Sequence, residues 1–226
     1  MRQKRLSFFT ALALAFLAGC AVQNTNIRPV GRGKIDASVS FGGPIVAAFG
    51  THIPVPYLTT NINYGLTDRI NLHGEWHWLP LAYGLLGADF GATWFPLVRD
   101  SGWVPTLGLS GDVLCLMSLK SGVSSRFRGY PVVTPAFSWK IRTNVLYTGL
   151  STVLPLTRSD YDGNAAGALF SPFVGFRWQM TKRLRLTPEL KVQGINLASN
   201  QLAVEYIKIG GYGALTPLLS LEWSIK

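Results

Sequence analysis

From Leu184 to Gln193 apolar and polar side chains alternate almost without interruption: Leu184, Leu186, Leu190 and Val192 against Arg185, Thr187, Glu189, Lys191 and Gln193. A period of two puts alternate residues on opposite faces of an extended strand, whereas a helix would mix them. The same alternation runs through Asn71, His73, Glu75 and His77 against Leu72, Gly74, Trp76 and Trp78. It recurs in Lys34, Asp36, Ser38 and Ser40 against Ile35, Ala37, Val39 and Phe41. Followed along the chain, it predicts about ten strands near 34–43, 56–65, 69–79, 84–96, 103–116, 131–140, 143–155, 168–179, 183–195 and 212–224. The segments 131–140 and 143–155 alternate less cleanly and are placed mainly by spacing.

The connections have their own rhythm. Segments 66–68, 141–142 and 180–182 are tight, and 97–102 is fairly short, while 44–55, 117–130, 156–167 and 196–211 are long. Transmembrane barrels show this asymmetry, with short periplasmic turns and long external loops. Tryptophan follows it too. Trp94, Trp103, Trp139, Trp178 and Trp223 fall beside the short turns in phase with the apolar face, and Trp76 and Trp78 lie at the other end of their strand. Amphipathic rings collect at the two edges of a bilayer in this way.

Composition decides which face meets lipid. Charged residues make up 14% of the chain and apolar residues 48%, too few charges for a protein surrounded by water. A lipocalin-like soluble barrel would turn its polar face outward and line it with Lys and Glu, yet much of that face here is Ser, Thr, Asn and Gly. The expected fold is therefore all-β: a single antiparallel up-and-down transmembrane barrel of about ten strands, eight and twelve being the alternatives.

The first residues are read as targeting. Arg2, Lys4 and Arg5 precede the apolar run Leu6–Leu17, and Leu17-Ala18-Gly19-Cys20 follows. A run of this length suits a signal peptide and is too short to span a bilayer as a helix. The four residues resemble the lipobox of bacterial lipoproteins, which implies acylation of Cys20 and sorting by the lipoprotein machinery. The expected organisation is a signal peptide over 1–19, a lipid-anchored linker over 20–33 and the barrel over 34–226.

Tyr64-Gly65-Leu66-Thr67-Asp68-Arg69-Ile70-Asn71-Leu72 resembles the strand, tight turn, strand element of small bacterial outer-membrane β-barrel proteins. Gly175-Phe176-Arg177-Trp178 through Arg183 to Leu190 resembles a second copy. The resemblance is to the class and implies an outer-membrane location, an N-terminus in the periplasm, and contact with membrane lipid, lipopolysaccharide and the barrel-assembly machinery. One departure is the ending, Trp223-Ser224-Ile225-Lys226, where such barrels usually finish on an aromatic residue.

The net charge is +10, and removing the export-signal bases leaves 18 basic against 11 acidic residues. These bases are dispersed and form no tract, so no nucleic-acid partner is expected, and anionic headgroups or sugars suit them better. Lys120, Arg126 and Arg128 in the long segment 117–130 are the candidate contact for anionic sugar phosphates, with Phe127 and Tyr130 as stacking surfaces.

One constellation carries chemistry. His73, Glu75 and His77 share a strand face at about 6–7 Å intervals, a spacing that serves a metal, acid–base work or simply a polar lumen cluster bonded to Arg177 or Arg185. Asp160-Tyr161-Asp162-Gly163-Asn164 is rich in oxygen ligands but lacks the bidentate Glu of a calcium loop. Neither a metal nor a cofactor is expected. The leading function is structural or ligand-binding in the envelope, around a closed or narrow lumen. The alternatives are a lipid-modifying enzyme or hydrolase using the His/Glu cluster, and a narrow pore for small solutes.

Overall fold

The computed structural model describes residues 25–48, 51–120, 127–154, 167–198 and 206–225. The ten expected strands are present as β1 (Ile35–Gly42), β4 (Tyr57–Gly65), β5 (Ile70–His77), β6 (Leu85–Leu97), β7 (Thr106–Ser118), β8 (Phe127–Ile141), β9 (Asn144–Val153), β10 (Leu169–Gln179), β11 (Leu184–Ala198) and β12 (Tyr212–Ser224). Each pairs antiparallel with its neighbours, and β1 pairs with both β4 and β12, which closes the ring. Closure leaves no edge strand with unpaired backbone groups, a requirement in hydrocarbon.

Two of the connections contain structure that alternation alone does not reveal. Between β1 and β4 lies a hairpin of β2 (Ile45–Ala48) and β3 (Thr51–Pro54), bridged through Val46 to Tyr206. Between β5 and β6 lies a short helix, α1 (Leu79–Ala82). The β6–β7 connection is longer than expected, because β6 ends at Leu97 and β7 starts only at Thr106.

The two faces of the wall differ as the alternation requires. Phe41, Ile62, Leu72, Phe90, Val133, Val174 and Leu219 point outward and are exposed. Ser38, Ser40, Thr59, Asn61, Thr93, Thr106, Thr187 and Thr216 point inward and are buried. The hydrophobic cores of soluble proteins reverse this pattern. Trp94, Trp103, Trp178 and Trp223 are exposed at the short-turn end, where Trp139 donates its indole N–H to the Trp103 carbonyl at 2.9 Å. At the long-loop end, Trp76 and Trp78 stack edge to face with centroids 6.3 Å apart.

The described part of the linker has a position the sequence does not announce. Residues 25–33 turn back from β1 into the barrel instead of leading away from it. Gly31 and Gly33 hold φ of 95° and 72°, left-handed conformations that favour glycine, and they make the reversal. Ile27 is then 1% exposed and packs inside the lumen against Ala136, Val145, Tyr147 and Phe173. Ser138 donates to the Ile27 carbonyl at 2.9 Å, and Asn71 accepts from the Val30 N–H and donates to the Arg28 carbonyl, both at 3.1 Å. At the far end Thr25 donates to Glu189 at 3.1 Å.

Candidate functional site

His73, Glu75 and His77 all face the lumen from β5, as their spacing demands. Antiparallel register places Glu75 opposite Asp89 on β6, and His73 opposite Gly91, which in turn lies opposite Asp112 on β7. Gly91 acts as a window here: a Cβ added to it would sit 2.1 Å from Asp112 Oδ1. Through that gap His73 Nε2 reaches Asp112 Oδ1. His77 Nε2 bonds Asp89 Oδ2 at 2.8 Å, and its Nδ1 bonds the Tyr57 hydroxyl at 2.9 Å.

The partners of the two histidines are thus aspartates on the next strands and not the arginines expected from the sequence. Arg177 and Arg185 lie at the short-turn end, near the last residues of β10 and the first of β11. Arg177 forks onto Glu222, with Nε and Nη2 each 3.0 Å from a carboxylate oxygen. Arg185 Nη2 lies 2.6 Å from Asp36 Oδ2 and donates to Ser224 at 3.0 Å. Between the two groups, Lys191 Nζ is 3.3 Å from Glu189 Oε1, and the Tyr147 hydroxyl donates to Glu189 Oε2 at 2.9 Å. Buried charges cost several kcal/mol each unless paired and hydrogen-bonded, so these pairs make a charged lumen tolerable.

His77 is fully buried and the Asp89 side chain is 3% exposed. A lumen cavity of only about 20 Å³ touches His73, Glu75, Asp89 and Asp112. That is room for about one water molecule. Among the described residues no three His, Cys, Asp or Glu side chains converge as metal ligands.

The other candidate residues that are described lie around the β7–β8 connection. Lys120 lies past the end of β7, beside Gly84. Arg128 follows the inward phase of β8, opposite Leu116. Tyr130 packs against the Leu114, Leu116 and Val132 cluster inside the wall, and Phe127 is exposed. Arg126, the expected acylation position Cys20 and the segment Asp160–Asn164 lie outside the described residues.

Sequence reasoning missed Ile27 and Arg28. Arg28 Nη1 lies 2.7 Å from Asp100 Oδ1, and Nη2 donates to the Arg99 carbonyl and, at 3.0 Å, to Thr106. The Arg28 guanidinium and then Lys140 hold the Asp100 carboxyl below its ordinary range. A depressed carboxylate stabilises the folded state above its unfolded range and loses that contribution as pH falls through the lowered one, so this clamp holds at neutral pH and fails in acid. The only sequence signal was an isoleucine set among polar residues just before two closely spaced glycines.

Side chains occupy both ends of the described lumen. Residues 25–33 sit in the short-turn side, and at the long-loop side Leu79 of α1 packs on Tyr57 and Leu218.

No protein-family model matches the chain, and no curated protein matches it. Among solved structures it is similar to the outer membrane protease OmpT from Escherichia coli, at 11% identity and a TM-score of 0.46, covering 90% of this chain and 99% of that one. It is also similar to the NanC porin, at 11% identity and a TM-score of 0.44, covering 85% and 99%. A third likeness is the de novo designed TMB2.3, at 12% identity and a TM-score of 0.39, covering 87% and 97%. A closed ring of ten antiparallel strands, apolar outside and polar within, is the architecture of an outer-membrane β-barrel.

Proposed function

We propose that the chain is an outer-membrane barrel with a closed lumen, acting in the envelope by structure and by binding and not by conduction. In this reading the short turns face the periplasm and the long loops face outward, with Cys20 acylated as a second membrane attachment. In the same reading Lys120, Arg126 and Arg128, from the long segment 117–130, contact anionic sugar phosphates of the lipid surface. The observation that carries the closed lumen is the position of residues 25–33, seated by Ile27 and clamped by Arg28. Ten-strand barrels are only a little wider than the eight-strand ones that side chains alone can fill.

The purified full chain in a planar bilayer is expected to show no conductance steps, and resolved single-channel steps would overturn the reading. The anchor is tested separately. Cys20→Ser is expected to abolish incorporation of labelled fatty acid while leaving the folded barrel intact, and unchanged labelling would remove the anchor from the proposal.

A further inference from the structure

The short-turn mouth contains a second, larger cavity beside the inserted segment. It measures about 180 Å³ and is lined by four basic residues, Arg28, Lys140, Arg177 and Arg185, against two acidic ones, Asp36 and Glu222. The two acids are already committed, Glu222 to the fork of Arg177 and Asp36 to Nη2 of Arg185. Asp100 draws Arg28 and Lys140 from outside the cavity, but its side chain is 70% exposed, and an exposed carboxylate offsets little buried charge.

Donors are left over. The Nε groups of Arg28 and Arg185 are buried without a hydrogen-bond acceptor among the described residues, the second lying 3.9 Å from Glu222 Oε2, within ion-pair reach but too far for a hydrogen bond. A buried guanidinium whose donors are unsatisfied costs free energy that an anionic oxygen would recover.

We infer that this mouth cavity binds a small phosphate-type dianion, taken from solution. The surplus of basic over acidic lining residues sets the sign of the charge, and arginine forks match tetrahedral oxyanions bidentately. Size narrows the class. The cavity far exceeds the ~10–15 Å³ one water needs and falls below the roughly 300 Å³ where drug-sized pockets begin, so inorganic phosphate or a small phosphomonoester fits while a lipid A headgroup does not. Because Arg28 belongs to the inserted segment, a bound dianion would also hold that segment in place.

The inference rests on the closed-lumen reading only in that Arg28 forms one wall. Conductance tests the closure and titration tests the site, so each can fail alone. Isothermal titration of the folded full chain in neutral detergent is expected to show saturable binding of inorganic phosphate and none of chloride at equal ionic strength. Lys140→Gln is expected to weaken phosphate about tenfold, the scale of one lost charged hydrogen bond. Asp36→Asn is expected to tighten it, since Arg185 is then released from its carboxylate. That gain separates a binding site from general damage to the fold. Phosphate behaving like chloride, or Lys140→Gln binding as tightly as the unaltered chain, would overturn the inference. So would binding of short-chain phosphatidylglycerol in the absence of any binding of inorganic phosphate, which would move the phosphate chemistry to the membrane.

Discussion

Ile27→Asp is expected to release residues 25–33 from the lumen while the ten-strand ring stays closed. Ile27 is the one apolar anchor of the segment, 1% exposed among Ala136, Val145, Tyr147 and Phe173. Burying such a side chain contributes about 1.5–3 kcal/mol. A carboxylate in the same seat would reverse that sign, because an unpaired buried charge costs several kcal/mol. The hydrogen bonds from Ser138 and Asn71, at about 0.5–1.5 kcal/mol each, cannot compensate. The loss is limited to what docking the segment contributes, since the segment can leave without breaking a strand ladder. Hydrogen exchange should show the Val30 amide, now bonded to Asn71, becoming unprotected while amides of β6 and β7 stay protected. A folded variant in which Val30 remains protected would show that Ile27 is not the anchor.

Phe90→Arg is the second large effect expected, and it tests what surrounds the wall. Phe90 is 61% exposed midway along β6, opposite Gly74 on one side and Val113 on the other. In a bilayer an arginine near mid-depth costs about 2–4 kcal/mol, falling to about 0–1 near the interface. In water the same exchange at an exposed position would fall within about 0.5 kcal/mol. Leu66→Arg, in the β4–β5 turn, supplies the interface control, as Leu66 is 46% exposed. Denaturant titrations in lipid vesicles should separate the two variants by about 2 kcal/mol or more. Equal costs would mean that the apolar face does not lie in hydrocarbon.

The strands were legible because a wall with lipid outside and polar groups inside writes its geometry at every second residue. Even β8 and β9, where Pro131, Pro135 and Gly149 blur the pattern, fell within a few residues of their expected limits. The hairpin β2–β3 and helix α1 were not legible, being too short and mixed in composition to show a period. The inserted segment was hidden for a related reason. Residues 25–33 have irregular backbone, and what holds them is side-chain bonding to β5, β8 and β11, far away in the chain. The histidine partners lie between these cases. His73, Glu75 and His77 were placed on the correct face, but their partners depend on register. Once β5, β6 and β7 are aligned, Asp112 lies two strands from His73 at the same height and Asp89 lies one strand from His77, level with Glu75, whereas Arg177 and Arg185 lie toward the other end of the lumen.

The inserted segment also constrains the order of assembly. Residues 25–33 immediately precede β1, and β1 closes the ring by meeting β12, the last strand of the chain. That pairing has nearly the longest sequence separation available, and contacts between distant parts of a chain form slowly. The leading residues must therefore be inside the curved sheet before its first and last strands meet, or else enter afterwards through a mouth already narrowed by Arg177, Arg185 and Glu222. Early placement meets no barrier from a finished wall, and it gives the nascent sheet an apolar knob, Ile27, around which β8, β9 and β10 can curl. In this role the segment is a mandrel on which the barrel closes.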